Sequence, residues 1–105
     1  MILTNIESVP GHPIREQKGL VSGSTVRSKH IGRDLFAGLK NIVGGELKAY
    51  TELMEESRAE ATQRMVAQAE AQGANAIVNV RYGTSDVAAG AAEVFVYGTA
   101  VVVER

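Results

Sequence analysis

The chain has 105 residues, 45% of them hydrophobic and 22% charged, with no cysteine and a formal net charge of −1. That length suits one domain spanning residues 1–105. The missing thiols exclude disulfides, thiolate metal sites and a cysteine nucleophile, and the near-neutral charge argues against a nucleic-acid partner. No apolar run approaches the ~18 residues of a membrane span, and Met1-Ile2-Leu3-Thr4-Asn5 lacks the basic and long apolar stretches of a signal peptide, so a cytoplasmic location is expected.

The charge is unevenly spread. Residues 1–48 carry seven Lys/Arg against four Asp/Glu, and residues 49–105 carry four against eight. A basic half and an acidic half can neutralise each other within one copy, or set the register between two copies.

In chain order, Met1 to Leu3 is a short apolar stretch, followed by the turn Val9-Pro10-Gly11-His12-Pro13, where two prolines and a glycine disfavour helix. Lys18 to Arg27 reads as a strand. Its run of Ser22, Gly23, Ser24 and Thr25 suits a sheet edge or a close backbone approach. Ile31 to Val43 has Leu35, Leu39 and Ile42 at helical spacing and predicts a first helix, ended by Gly44-Gly45.

Glu46 to Gln72 predicts a long second helix. Leu47, Tyr50, Met54, Ala61, Met65 and Ala69 recur on one face, and Gly73 supplies the stop. Opposite lies a row of Glu52, Glu56 and Glu60, with Ala49, Leu53, Ala67 and Ala71 as a weaker apolar flank beside it. At 1.5 Å per residue the helix is about 40 Å long, more than so small a domain needs for itself.

Two strands close the chain. In Ala76 to Tyr82, alternation puts Ala76, Val78, Val80 and Tyr82 on one apolar face. Gly83 to Ala92 reads as a flexible hairpin loop, and no helix follows it, so it is no phosphate cradle. In the last strand, Glu93 to Glu104, Val94, Val96, Gly98, Ala100 and Val102 line one side, and Phe95, Tyr97, Thr99, Val101 and Val103 the other. A strand apolar on both sides has to be covered on both. Two helices of one subunit cover one face of a small sheet, so the second face points to further copies of the chain.

The blocks Val21-Ser22-Gly23, Arg33-Asp34-Leu35-Phe36-Ala37-Gly38, Ile42-Val43-Gly44-Gly45, Tyr50, Gly73-Ala74-Asn75-Ala76 and Gly98-Thr99-Ala100-Val101 resemble the YbjQ family over nearly the whole chain. The resemblance implies an α+β, dodecin-subunit-like fold of order β-β-α-α-β-β, a small sheet covered by two helices. It also implies a pentameric ring in which short extra strands join neighbours, and the family's name links it to heavy metals.

Chemistry offers that name little. Soft metals select thiolates and thioethers, and borderline ones add imidazole. Here there are two histidines and three methionines, and Met54 and Met65 lie on the apolar stripe, where methionine is ordinarily packing. The candidate ligands for a divalent metal are His12 in the turn, His30 before the first helix, and Asp34; the two histidines are not spaced as paired ligands. No nucleophile elbow, His-Glu-x-x-His or phosphate loop is present, and Arg33-Asp34 is the one charged pair of note. The reading is a homo-oligomeric module that binds a small ligand or metal ion. A scaffold ring, or an enzyme whose site forms only at subunit junctions, is the alternative.

Overall fold

The computed structural model describes residues 1–28, 48–88 and 91–105. Strands β1 (Ile2–Leu3), β2 (Ile14–Ser28), β3 (Ala76–Ala88) and β4 (Ala91–Val103) form one mixed sheet of order β1-β3-β4-β2, and α1 (Lys48–Ala71) packs on it. β1 runs parallel to β3, while β4 pairs antiparallel with both β3 and β2. The fold is α+β with one helix among the described residues. The expected first helix, Ile31 to Val43, lies outside them, as do Leu47 and the Gly44-Gly45 stop.

The long helix forms where its spacing placed it. Ser57, Ala61, Met65 and Ala69 repeat every four residues and are fully buried. The helix ends in a Schellman turn on Gly73, whose φ of 82° needs no Cβ. The Ala74 amide donates to Ala69 O at 3.1 Å and the Gly73 amide to Glu70 O at 3.0 Å.

The small residues of β2 have the two uses expected of them. β2 is the outer strand of the sheet, and a Cβ on Gly23 would collide with the Ala61 carbonyl, so the helix backbone rests directly on the strand. The outward edge of β2 is sealed by helix side chains. Gln68 Oε1 accepts from the Ser22 amide at 2.8 Å, and Arg64 Nη1 donates to Ser24 O at 2.5 Å.

The expected alternation of β3 is overturned at Asn79. This residue has φ of 55°, and the register runs from Val78 opposite Thr99 to Arg81 opposite Tyr97, three steps against two. The extra residue is a bulge, and a bulge exchanges the two faces of its strand. Ile77 before it and Val80 after it therefore share the helix-side core, while Ala76 and Val78 lie in the core on the far side.

The expected flexible loop Gly83 to Ala92 is also corrected. Gly83 to Ala88 and Ala91 to Ala92 are strand, paired through to Ala88 opposite Ala91. β4 is central and hydrogen-bonds on both sides, which holds these small residues extended without help from their side chains. The strand Lys18 to Arg27 likewise lengthens at its start, to Ile14–Ser28.

β4 is apolar on both faces, as its residues require. Val96 and Ala100 meet the helix side, Val101 and Val103 the far side. The far side at this end is covered by the chain's own Ile2 and Val9, not by another copy, which corrects the argument for assembly drawn from Val101 and Val103. Asn75 pins this end: its Oδ1 accepts from the Val103 amide at 2.7 Å and its Nδ2 donates to Val103 O at 2.9 Å. Toward the other end, Leu20, Val26 and Tyr97 are exposed. The radius of gyration is 17.0 Å, with extents of 53 × 27 × 16 Å, against ~13 Å for a compact domain of this length.

Candidate functional site

The far face of the sheet, away from α1, carries exposed apolar side chains among the described residues. Cross-strand pairs fix which side chains share it: Leu20 with Thr99, Ser22 with Tyr97, Ser24 with Phe95 and Val26 with Glu93. Leu20 is 80% exposed, Val26 54% and Tyr97 46%.

The aromatic pair is built by its neighbours. Phe95 lies over Gly83, where any Cβ would strike its ring, and it stacks on Tyr97 with centroids 6.2 Å apart and planes 20° from parallel. Beside the rings is an open cleft of about 590 Å³, rimmed by Ser22, Ser24, Arg64 and Glu93. Arg64 reaches it around the edge of β2, held by Glu60 at 2.6 Å one helical turn away, and Glu93 accepts from Ser85 Oγ at 3.2 Å.

A second depression lies on the helix side, where α1 stops short of the outer strands. Leu3, Ile6, Val80 and Tyr82 line about 580 Å³ there. Leu3, Ile6 and Tyr82 are 36%, 44% and 49% exposed. The bulge at Asn79 turns Val80 and Tyr82 into this groove, and Tyr82 Oη is fixed by Thr62 Oγ1 of the helix at 2.9 Å. Backbone bonds from Asn79 to Ile6 O and from Val80 to Thr4 O, both 2.9 Å, hold the groove's outer wall.

Of the candidate metal ligands, only His12 is among the described residues; His30 and Asp34 lie outside them, with Arg33. His12 is half-buried, and its Nδ1 sits 2.8 Å from Glu104 O. That bond makes Nδ1 the donor and leaves Nε2 as a potential ligand atom. Among the described residues no group of three or more His, Cys, Asp or Glu is placed to hold a metal. The donor set of one described copy therefore does not fit a soft-metal site. In the acidic row Glu52 and Glu56 are exposed, and Glu60 is engaged by Arg64.

Sequence spacing did not single out Leu20, Arg64, Tyr82 or the exposure of Tyr97. Phe95 and Tyr97 sit in the same alternation as Val101 and Val103, so periodicity gives them one status. Only the place where the N-terminal residues cross the sheet separates covered from uncovered.

The chain is similar to UPF0145 proteins of several prokaryotes. It is 65% identical to that of Hahella chejuensis over 99% of this chain and all of the relative. It is 69% identical to that of Acinetobacter baylyi over 91% of this chain and 89% of the relative, and 54% identical to that of Archaeoglobus fulgidus over 96% and 94%. In structure it is similar to a protein of unknown function of the DUF74 family from Pediococcus pentosaceus. The TM-score is 0.64 at 18% identity, over 99% of this chain and 98% of that one, which speaks to the fold alone. A family model described as YbjQ, "Putative heavy-metal-binding", matches residues 1–104, and the chain belongs to that family.

Proposed function

We propose that the chain is the subunit of a homo-oligomer that works as a binding module, with its ligand held where copies meet. The observation that carries this is the uncovered far face of the sheet, with Leu20, Val26 and Tyr97 exposed on an elongated molecule. An exposed contiguous apolar patch on a soluble chain marks a contact surface, and removing apolar area from water contributes about 25 cal/mol per Å². A pentameric ring is the form implied by the family resemblance. Because the described donors of one copy do not make a metal site, a bound metal ion would draw its ligands from more than one copy or from His30 and Asp34. A small organic ligand has more to engage, with aromatic rings, hydroxyls and both signs of charge around the cleft.

Native mass spectrometry of freshly purified protein tests this directly. A multiple of 11.2 kDa, with or without added mass from a retained ligand, is expected. A monomer at micromolar concentration would sink the proposal.

A further inference from the structure

Resting on the binding-module reading, we infer that the cleft beside Phe95 and Tyr97 takes a small organic cation, held on the aromatic rings and neutralised by Glu93. The cleft exists because β2 is small where β4 is large. Ser22 pairs with Tyr97 and Ser24 with Phe95 across the two strands, and the serines leave open the room that bulkier partners would fill. On the other side, Gly83 gives the Phe95 ring a place to lie. The two rings are stacked with centroids 6.2 Å apart, and about 590 Å³ of open space lies beside them.

The charge around this space has a sign. Arg64 and Glu93 both line it, but they are not equally engaged. Arg64 is matched by Glu60 at 2.6 Å, and its Nη1 donates to Ser24 O, so its positive charge is already balanced. Glu93 is half-buried and accepts a hydrogen bond from Ser85 Oγ at 3.2 Å. No Lys, Arg or His pairs with it among the described residues. A carboxylate has about four acceptor sites, so this one has room for a ligand. With Glu60 and Arg64 cancelling, Glu93 leaves the cleft with a net negative charge.

Aromatic rings and an unpaired carboxylate favour the same ligand chemistry. The faces of Phe and Tyr carry the negative part of the ring quadrupole and attract a cation within about 6 Å of the centroid. An alkylated ammonium gains most, because its methyl groups cover the ring while its charge stays near the carboxylate. A bare inorganic cation demands more oxygen ligands than one carboxylate and two hydroxyls supply. An anion would meet Glu93 with Arg64 already engaged, and a neutral apolar molecule would leave the carboxylate without a counter-charge. Tyr97, 46% exposed, is the ring within reach of a ligand, and the Ser22 and Ser24 hydroxyls on the rim suit a polar tail.

Three probes of one shape read the sign of the site: choline, its neutral carbon analogue dimethylbutanol, and the anion dimethylbutanoate. Titrated into the wild-type chain and followed by ligand-observed NMR, choline should bind about tenfold more tightly than either of the others. This comparison needs no variant. Glu93→Gln keeps the shape and removes the charge, and it should cut the preference to about threefold or less. Tyr97→Leu should weaken choline by about threefold to tenfold. Equal affinities for the three probes, a preference for the anion, or a preference unchanged in Glu93→Gln would overturn the proposal. So would a wild-type chain that binds none of them, as when a neighbouring copy's side chain already fills the cleft. Light scattering on the same samples keeps the two readings apart. A particle of several copies without the choline preference removes the cation and leaves the assembly. A monomer that keeps the preference removes the assembly and leaves the cation, because every residue lining the cleft comes from one copy.

Discussion

Asn79 shows how one backbone angle decides what a strand presents. Asparagine tolerates the left-handed region better than other residues with a Cβ, and a β-branched residue there is strained by roughly 1–2 kcal/mol. Its φ of 55° lets the strand take up the extra residue that carries Val80 and Tyr82 round to the helix side. Asn79→Val should therefore lower stability by about 1–2 kcal/mol in urea unfolding, while Asn79→Gly stays within about 0.5 kcal/mol of the wild type. Equal midpoints for the valine variant and the wild type would mean that the left-handed angle is not required. The sequence placed Asn79 in a run that alternates well enough to read as a regular strand. Nothing in that run marks the residue that breaks it, since a bulge is set by what pairs on either side. Gly23 is the opposite case. Its neighbours Ser22, Ser24 and Thr25 are too small to build a core, and that alone announced the close approach that the helix makes.

Among elements, α1 was the most legible, because a four-residue repeat of small and flexible side chains over six turns has few other uses. What the repeat cannot supply is the role of its polar side chains. Arg64 and Gln68 read as solvated helix residues, yet they seal the Ser22 amide and the Ser24 carbonyl on the outer edge of β2. The acidic row is partly relieved in the same way, with Arg64 holding Glu60 at 2.6 Å. Glu52 and Glu56 remain in solvent. Glu56→Lys would replace two repulsive four-residue pairs by two attractive ones, each about 0.2–0.5 kcal/mol. We expect unchanged particle size by light scattering and a small rise in melting temperature. Dissociation at low ionic strength would show instead that the row meets a basic patch on a neighbour. The hairpin arm was the least legible element. From Gly83 to Ala92 the side chains are small or polar and give no periodic signal, and the arm is extended because β4 offers it a ladder of backbone partners.

For the whole molecule, the sequence carried the fold class, the long helix and the two-sided last strand. It did not reveal which end of that strand the chain covers by itself. Ile2 and Val9 come from the other end of the sequence, and no local pattern ties them to Val101 and Val103. The metal question also belongs at this scale. Titration with zinc, copper and cadmium at neutral pH should show no stoichiometric site tighter than micromolar, because no three of the described donors come together. A sub-micromolar site that persists in the His12→Ala, His30→Ala double variant would point to carboxylates, Asp34 or the Glu52/Glu56/Glu60 row.

The strand order carries a consequence for how the protein comes into being. β4 follows the other three strands in the chain and joins β2 to β3. Until residues 91–103 have left the ribosome, β2 has no strand to pair with and the helix has no finished sheet to rest on. None of the sheet's long ladders can therefore close before β4 has been made. Until then Val21 and the apolar face of the helix lack Val96 and Ala100 to pack against. Once β4 arrives, two ladders and the helix contact form together. Such non-local pairing places folding on the millisecond-to-second side of the range for small domains.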